Sequence, residues 1–200
     1  MKFSYDFKLS EHSGSSRVYV CGDITARIDF LSGSMMRVAL FRDDCKMLPT
    51  FTVDPQNEFL TEGRDKLSLD GFSLFAPQVN ETAEGECFSL GNVEAELNTH
   101  NFILSYKKDG KLLFADRAPL AYNFQNEFGN GTYHYLTREK GEKIYGLGDK
   151  GGSVNKAGRT FRIETSDSMG YDAETSDPLY KHVPFYICLL YTSPSPRDTR

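Results

Sequence analysis

The residues best suited to chemistry in this 200-residue chain lie in one run, residues 164–186. It carries Asp167, Asp172, Glu174 and Asp177 interleaved with Tyr171 and Tyr180. Carboxylates accept hydrogen bonds from sugar hydroxyls, and an aromatic ring takes the C–H face of a pyranose, so this mixture suits carbohydrate binding. On composition alone an acidic surface loop accounts for the same residues, and that plainer reading comes first. Just upstream, Gly146-Leu147-Gly148-Asp149-Lys150-Gly151 fits G-x-G-x-x-G after a short strand over residues 143–145. A dinucleotide site would need a helix to begin there, with its N-terminus against the pyrophosphate, and residues 152–158 read as loop. The glycines instead mark a place where the backbone turns sharply or approaches another segment closely. A histidine paired with a carboxylate could move protons, but His12, His100, His134 and His182 each read first as ordinary surface or core residues. No metal, nucleotide or other cofactor is called for.

The elements that position the acidic run are strands. Ile24, Ala26, Ile28 and Phe30 alternate with Thr25, Arg27 and Asp29, which predicts one face on a core and the other in water. A turn at residues 31–34 leads into Met36, Val38 and Leu40, completing a hairpin. Val93, Ala95 and Leu97 alternate in the same way and lead into Phe102, Leu104 and Tyr106. Asp109-Gly110 then tolerates the positive φ of a primed turn, with a return strand over 111–115. Further strands are expected near residues 17–21, 132–136, 143–145, 160–164 and 183–189. Residues 49–85 mix turns with weak strands of no assignable order. Helical spacing of apolar residues is not sustained anywhere, so the expected class is all-β, with two packed sheets forming a sandwich.

Composition narrows the partners. The net charge of −5 argues against nucleic acid, whose phosphates need a basic face. No apolar run approaches the ~20 residues of a membrane helix, and the polar start does not read as a secretory signal. Cys21, Cys45, Cys87 and Cys188 have no close spacing, which fits free thiols and a cytoplasmic location. Residues 1–188 are expected to form the domain. Residues 189–200, with Pro194 and Pro196 near their end, read as an unstructured and non-native tail.

Three ordered motifs carry a family resemblance. Residues 143–150 (Lys-Ile-Tyr-Gly-Leu-Gly-Asp-Lys), Asn155 to Arg159, and the run from Thr165 to Pro184-Phe185-Tyr186 together resemble the N-terminal domain of glycoside hydrolase family 31, the α-glucosidase family. The resemblance implies a galactose mutarotase-like β-sandwich that packs on a catalytic (β/α)₈ barrel and lends it one loop. By motif position the sugar-contacting acid of that loop corresponds to Asp167, with Tyr171 and Tyr180 as further contributors. Asp149 stands where Glu is more usual after Gly-Leu-Gly, and Glu164-Thr165-Ser166 where Asn-Thr is more usual, which bears on substrate preference more than on membership. The family's catalytic aspartates lie on the barrel, and 200 residues cannot hold a sandwich plus a barrel of ~250. The resemblance therefore implies an N-terminal part without hydrolase activity of its own, whose partners are α-glucoside oligosaccharides and its own barrel. The alternatives are a stand-alone carbohydrate-binding module and an aldose mutarotase-like sandwich.

Overall fold

In the computed structural model, residues 4–32, 35–51, 61–124 and 132–189 are described. They fall into two units, residues 1–137 and 138–200. The first unit holds a four-stranded antiparallel sheet of β1 (Lys8–His12), β2 (Ser16–Cys21), β3 (Ile24–Ser32) and β4 (Met35–Arg42), in chain order. A five-stranded antiparallel sheet follows, again in chain order: β5 (Gln78–Glu81), β6 (Gly85–Leu90), β7 (Val93–Asn98), β8 (Ile103–Lys108) and β9 (Lys111–Ala115). A short pair, β10 (Tyr122–Asn123) with β11 (Tyr133–His134), completes the unit. Among the described residues there is no helix.

The two sheets share one core. Tyr19, Ala26, Ile28 and Phe30 from the first sheet cluster with Phe88, Ala95, Leu97 and Leu104 from the second. Phe30 meets Phe88 at 5.2 Å between ring centroids, and Tyr19 meets Phe102 edge-on at 5.6 Å. Burial of these aromatics is the main stabilising term, at roughly 25 cal/mol for each Å² of apolar surface removed from water. The all-β sandwich expected from the alternation is therefore the fold observed.

Several expectations are met in register. The hairpin of β3 and β4 pairs Ile28 with Val38. Asp109 and Gly110 both take positive φ, 50° and 74°, and join β8 to β9 through the Lys108–Lys111 pair. One face was misjudged. Alternation places Asp29 toward water, yet it is fully buried. Its carboxylate accepts from Ser16 Oγ at 2.6 Å, Arg27 Nε at 2.8 Å and Arg37 Nη2 at 2.6 Å. Arg37 also donates to the carbonyls of Lys66 and Leu67, so the loop of residues 66–68 covers this face and turns it into a second, polar interior.

Strands β1, β6 and β10 were not anticipated, and β5 is a strand within residues 49–85, where weak strands of no assignable order were expected. The strand expected over 132–136 shortens to β11 and a single bridge from Leu136 to Asp116. The strand expected over 160–164 is absent, because the Arg162 N–H is taken by the Asp177 carboxylate at 2.6 Å instead of a neighbouring strand. Of the tail expected over residues 189–200, Leu189 pairs with Lys143 at the end of a strand, and residues 190–200 lie outside the described residues.

In the second unit β12 (Lys143–Gly148) pairs antiparallel with β13 (His182–Leu189), and the acidic run hangs between them.

Candidate functional site

The Gly-Leu-Gly segment ends β12 in a bulge where the register slips between Gly146 and Gly148. Gly146 has φ of 111° and lies so close to β13 that a Cβ there would sit 2.6 Å from the Phe185 carbonyl oxygen. Both glycines are therefore required by close backbone approach and positive φ. Residues 151–168 contain no helix, so the rejection of a dinucleotide site stands on the observed backbone.

A set of cations then stitches the loop. The Lys150 side chain is completely buried, and its Nζ meets Asp177 Oδ1 at 2.9 Å and donates to the Arg162 carbonyl. Lys156 Nζ donates to the Lys150 carbonyl at 2.9 Å, and Arg159 Nη1 to the Gly151 carbonyl at 2.7 Å. Asn155 Oδ1 accepts from the N–H of Ile144 at 3.0 Å and of Ala157 at 3.2 Å. The second resemblance motif, Asn155 to Arg159, is thus the tie that fixes the loop to β12. Burial pushes the Lys156 ammonium below the ordinary lysine range, helped by the nearby Arg159 charge. Burial also pushes Asp177 upward, but the Arg162 N–H and Lys150 outweigh it and leave the carboxyl below its ordinary value.

The four carboxylates separate by what holds them. Asp177 is consumed by Lys150 and Arg162. Asp172 caps its own turn, accepting from the Thr175 hydroxyl and from the N–H groups of Thr175 and Glu174, which lowers its pKa. Asp167 and Glu174 differ: both are exposed, and among the described residues nothing bonds either carboxylate, but the backbone on both sides of Asp167 is tied down. Thr165 Oγ1 lies 3.0 Å from His182 Nδ1, Ser166 N–H donates to the Leu179 carbonyl at 3.0 Å, and Ser168 Oγ donates to the Pro178 carbonyl at 2.8 Å. Tyr180 Oη donates to the Ser168 carbonyl at 3.2 Å, and its ring meets Tyr171 edge-on at 6.2 Å. The loop thus brings Tyr180 to the backbone beside Asp167 and Tyr171 to Tyr180. An acceptor held by a fixed backbone, beside partly exposed aromatic rings, can take hydroxyl donors without first breaking a bond of its own. Lys150, Lys156 and Arg159 escaped the sequence reading. The usable signal is that lysines in a Gly-rich, acidic loop are candidates for buried pairing.

The first unit holds a separate cavity of about 260 Å³, walled by Val38, Leu40, Tyr106, Phe114, Asp116 and His134 among others. Asp116 is buried; it accepts the Leu104 N–H at 3.0 Å and meets His134 Nε2 at 2.8 Å, while the imidazole stacks on Tyr122 at 4.3 Å. His182 is occupied by Thr165, and His100 pairs with exposed Asp6 at 2.6 Å. Among the described residues no group of His, Cys, Asp and Glu could hold a metal ion.

The first unit is a two-sheet antiparallel sandwich, and the second carries a clamped loop of carboxylates and tyrosines. Residues 25–191 match the glycosyl hydrolase 31 N-terminal galactose mutarotase-like domain, and the chain belongs to that family. The fold is similar to that of a family 31 dextranase from Flavobacterium johnsoniae in complex with isomaltotriose, with a TM-score of 0.69 at 22% identity, over 92% of this chain and 21% of that one. It is also similar to the cycloalternan-forming enzyme of Listeria monocytogenes in complex with a pentasaccharide substrate (TM-score 0.61, 16% identity, 92% of this chain and 16% of that one). A third likeness is to a glucosidase II alpha subunit (TM-score 0.60, 12% identity, 93% of this chain and 26% of that one). The chain thus spans about a fifth of the dextranase's length. Comparison with curated protein sequences finds no match.

Proposed function

We propose that this chain is the N-terminal domain of a cytoplasmic α-glucosidase that removes terminal α-linked glucose with retention, and that Asp167 is its contribution to the sugar pocket. The observation that carries this reading is the unpaired Asp167 carboxylate on a backbone fixed at Thr165, Ser166 and Ser168. In this role Asp167 accepts hydroxyl hydrogen bonds from the glucose unit next to the cleavage point, and Tyr171 and Tyr180 flank it. Retaining hydrolysis needs two carboxyls ~5–5.5 Å apart, one as nucleophile and one as acid and base. The reading assigns both to a barrel encoded further along. Two features support an incomplete assembly: the small share of each similar structure that the chain covers, and the exposure of Phe185, Ile187 and Leu189 along β13, which leaves large apolar side chains without cover. The four cysteines, all free, support the cytoplasmic placement.

The test compares the purified chain with the complete enzyme on maltose. The complete enzyme releases glucose and the chain alone releases none; glucose release by the chain alone overturns the reading. A mutarotase-like alternative draws on the His134–Asp116 pair beside the cavity. That pair is a single proton-transfer unit, whereas ring opening needs one group at O1 and another at the ring oxygen. Polarimetry of fresh α-D-glucose with the purified chain separates the two readings, since only a mutarotase speeds the drift.

A further inference from the structure

We propose that Lys150, locked to Asp177, is a positioning residue for the Asp167 carboxylate; the proposal rests on the reading of Asp167 as the sugar contact. Lys150 has no exposed side-chain surface, so it cannot itself touch a sugar and any effect on turnover must pass through the loop. Its ammonium sits where two strips of that loop meet. One strip, residues 162–168, carries Asp167; the other, residues 177–182, backs it. Lys150 Nζ donates to the Arg162 carbonyl of the first strip and pairs with the Asp177 carboxylate of the second. Asp177 returns to the first strip through its other oxygen, which accepts the Arg162 N–H. This three-way corner closes one end of the paired strips, and the bonds of Ser166 to Leu179 and Ser168 to Pro178 continue it toward Asp167.

Lys150 is itself held in place. Its carbonyl accepts Lys156 Nζ, and the neighbouring Asp149 N–H donates to the Lys181 carbonyl at 2.9 Å. The corner is thus built from both sides. A compact ammonium can meet one carbonyl and one carboxylate oxygen at a point, which the planar fork of an arginine cannot reproduce in the same space. Without Lys150 the 162–168 strip keeps its bonds nearer Asp167 but loses its anchored end. The carboxylate then samples positions away from the sugar, and a misplacement of ~1 Å can cost ~100-fold in rate.

The experiment is a double-mutant cycle in the complete enzyme, with 4-nitrophenyl α-D-glucoside as substrate and kcat/KM as the readout. Lys150→Met is expected to lower kcat/KM by about 10- to 100-fold in the native background and to add little in the Asp167→Ala background, because its effect runs through that carboxylate. Simple loss of folded enzyme would lower kcat by the same factor in both backgrounds. Equal losses in the two backgrounds, or no loss from Lys150→Met, overturn the positioning role while the Asp167 reading stands. An Asp167→Ala variant with native kcat/KM overturns both. Asp177→Asn carries the same cycle where Lys150→Met fails to fold, since the amide oxygen still accepts the Arg162 N–H while the charge facing Lys150 is gone.

Discussion

Replacing Asp29 by Ala should be among the most damaging single changes in the first unit. The carboxylate has no exposed surface, while the side chains of Arg27 and Arg37 that it pairs with keep 23% and 20% of theirs. Removing it takes the anionic partner from both guanidinium groups and the acceptor from the Ser16 hydroxyl at once, leaving Arg37 only its bonds to the carbonyls of residues 66–68. Breaking a buried pair by deleting one partner costs about 3–5 kcal/mol. The partial exposure of the two arginines lets water recover some of that, so the lower end, ~3 kcal/mol, is the expected loss. For a domain of this size that corresponds to a fall in Tm of ~6–12 °C. Asp29→Asn should cost nearly as much, because its NH₂ would point a donor at guanidinium donors. The assay is urea denaturation of the purified chain followed by far-UV circular dichroism, with Asp6→Ala as control. Asp6 pairs with His100, and the two side chains are 75% and 56% exposed, so that change should cost under ~1 kcal/mol. If Asp29→Ala costs no more than the control, the polar interior beneath residues 66–68 contributes no stability and the argument fails.

Two further outcomes follow from the second unit. Gly146→Ala should disrupt the pairing of β12 with β13, since the new methyl would lie 2.6 Å from the Phe185 carbonyl oxygen at a φ of 111°; faster amide exchange in residues 185–187 reports it, and native exchange rates would contradict it. Asp177 should titrate below the ordinary ~3.9 of an aspartate, in the direction set by Arg162 and Lys150. Because the folded value is depressed, its contribution to stability is complete above ~3.9 and is lost as pH falls through the folded value. Carboxyl ¹³C titration should show that low midpoint and its upward move in Lys150→Met; a midpoint at or above ~3.9 would contradict the assignment.

How far the sequence foretells this structure depends on which force places each segment. Strands β3, β4, β7, β8 and β9 were legible because their apolar residues alternate and an Asp-Gly turn sets one register. Strand β1 was not: Lys8–His12 is exposed at every position and exists only because its backbone completes a ladder with β2. A strand was expected over residues 160–164, and the Asp177 carboxylate displaces it by taking the Arg162 N–H. Asp29 looked solvent-facing because alternation cannot reveal that a distant loop returns over the outer face. Within the acidic run, composition could not rank the four carboxylates. Motif order singled out Asp167; the hydrogen bonds only set aside Asp172 and Asp177, which are spent on the loop itself, and leave the carboxylates of Asp167 and Glu174 to solvent among the described residues. Lys150 was legible only as a member of the glycine-rich motif, because its burial is a property of the folded loop.

The central claim, that this domain holds one sugar-gripping carboxylate over machinery located elsewhere, is tested most directly by kcat/KM of Asp167→Ala in the complete enzyme. Loss of a charged hydrogen bond to the sugar predicts a fall of ~1.5–3 kcal/mol, roughly 10- to 150-fold. A variant that cleaves maltose with native kcat/KM would contradict the account.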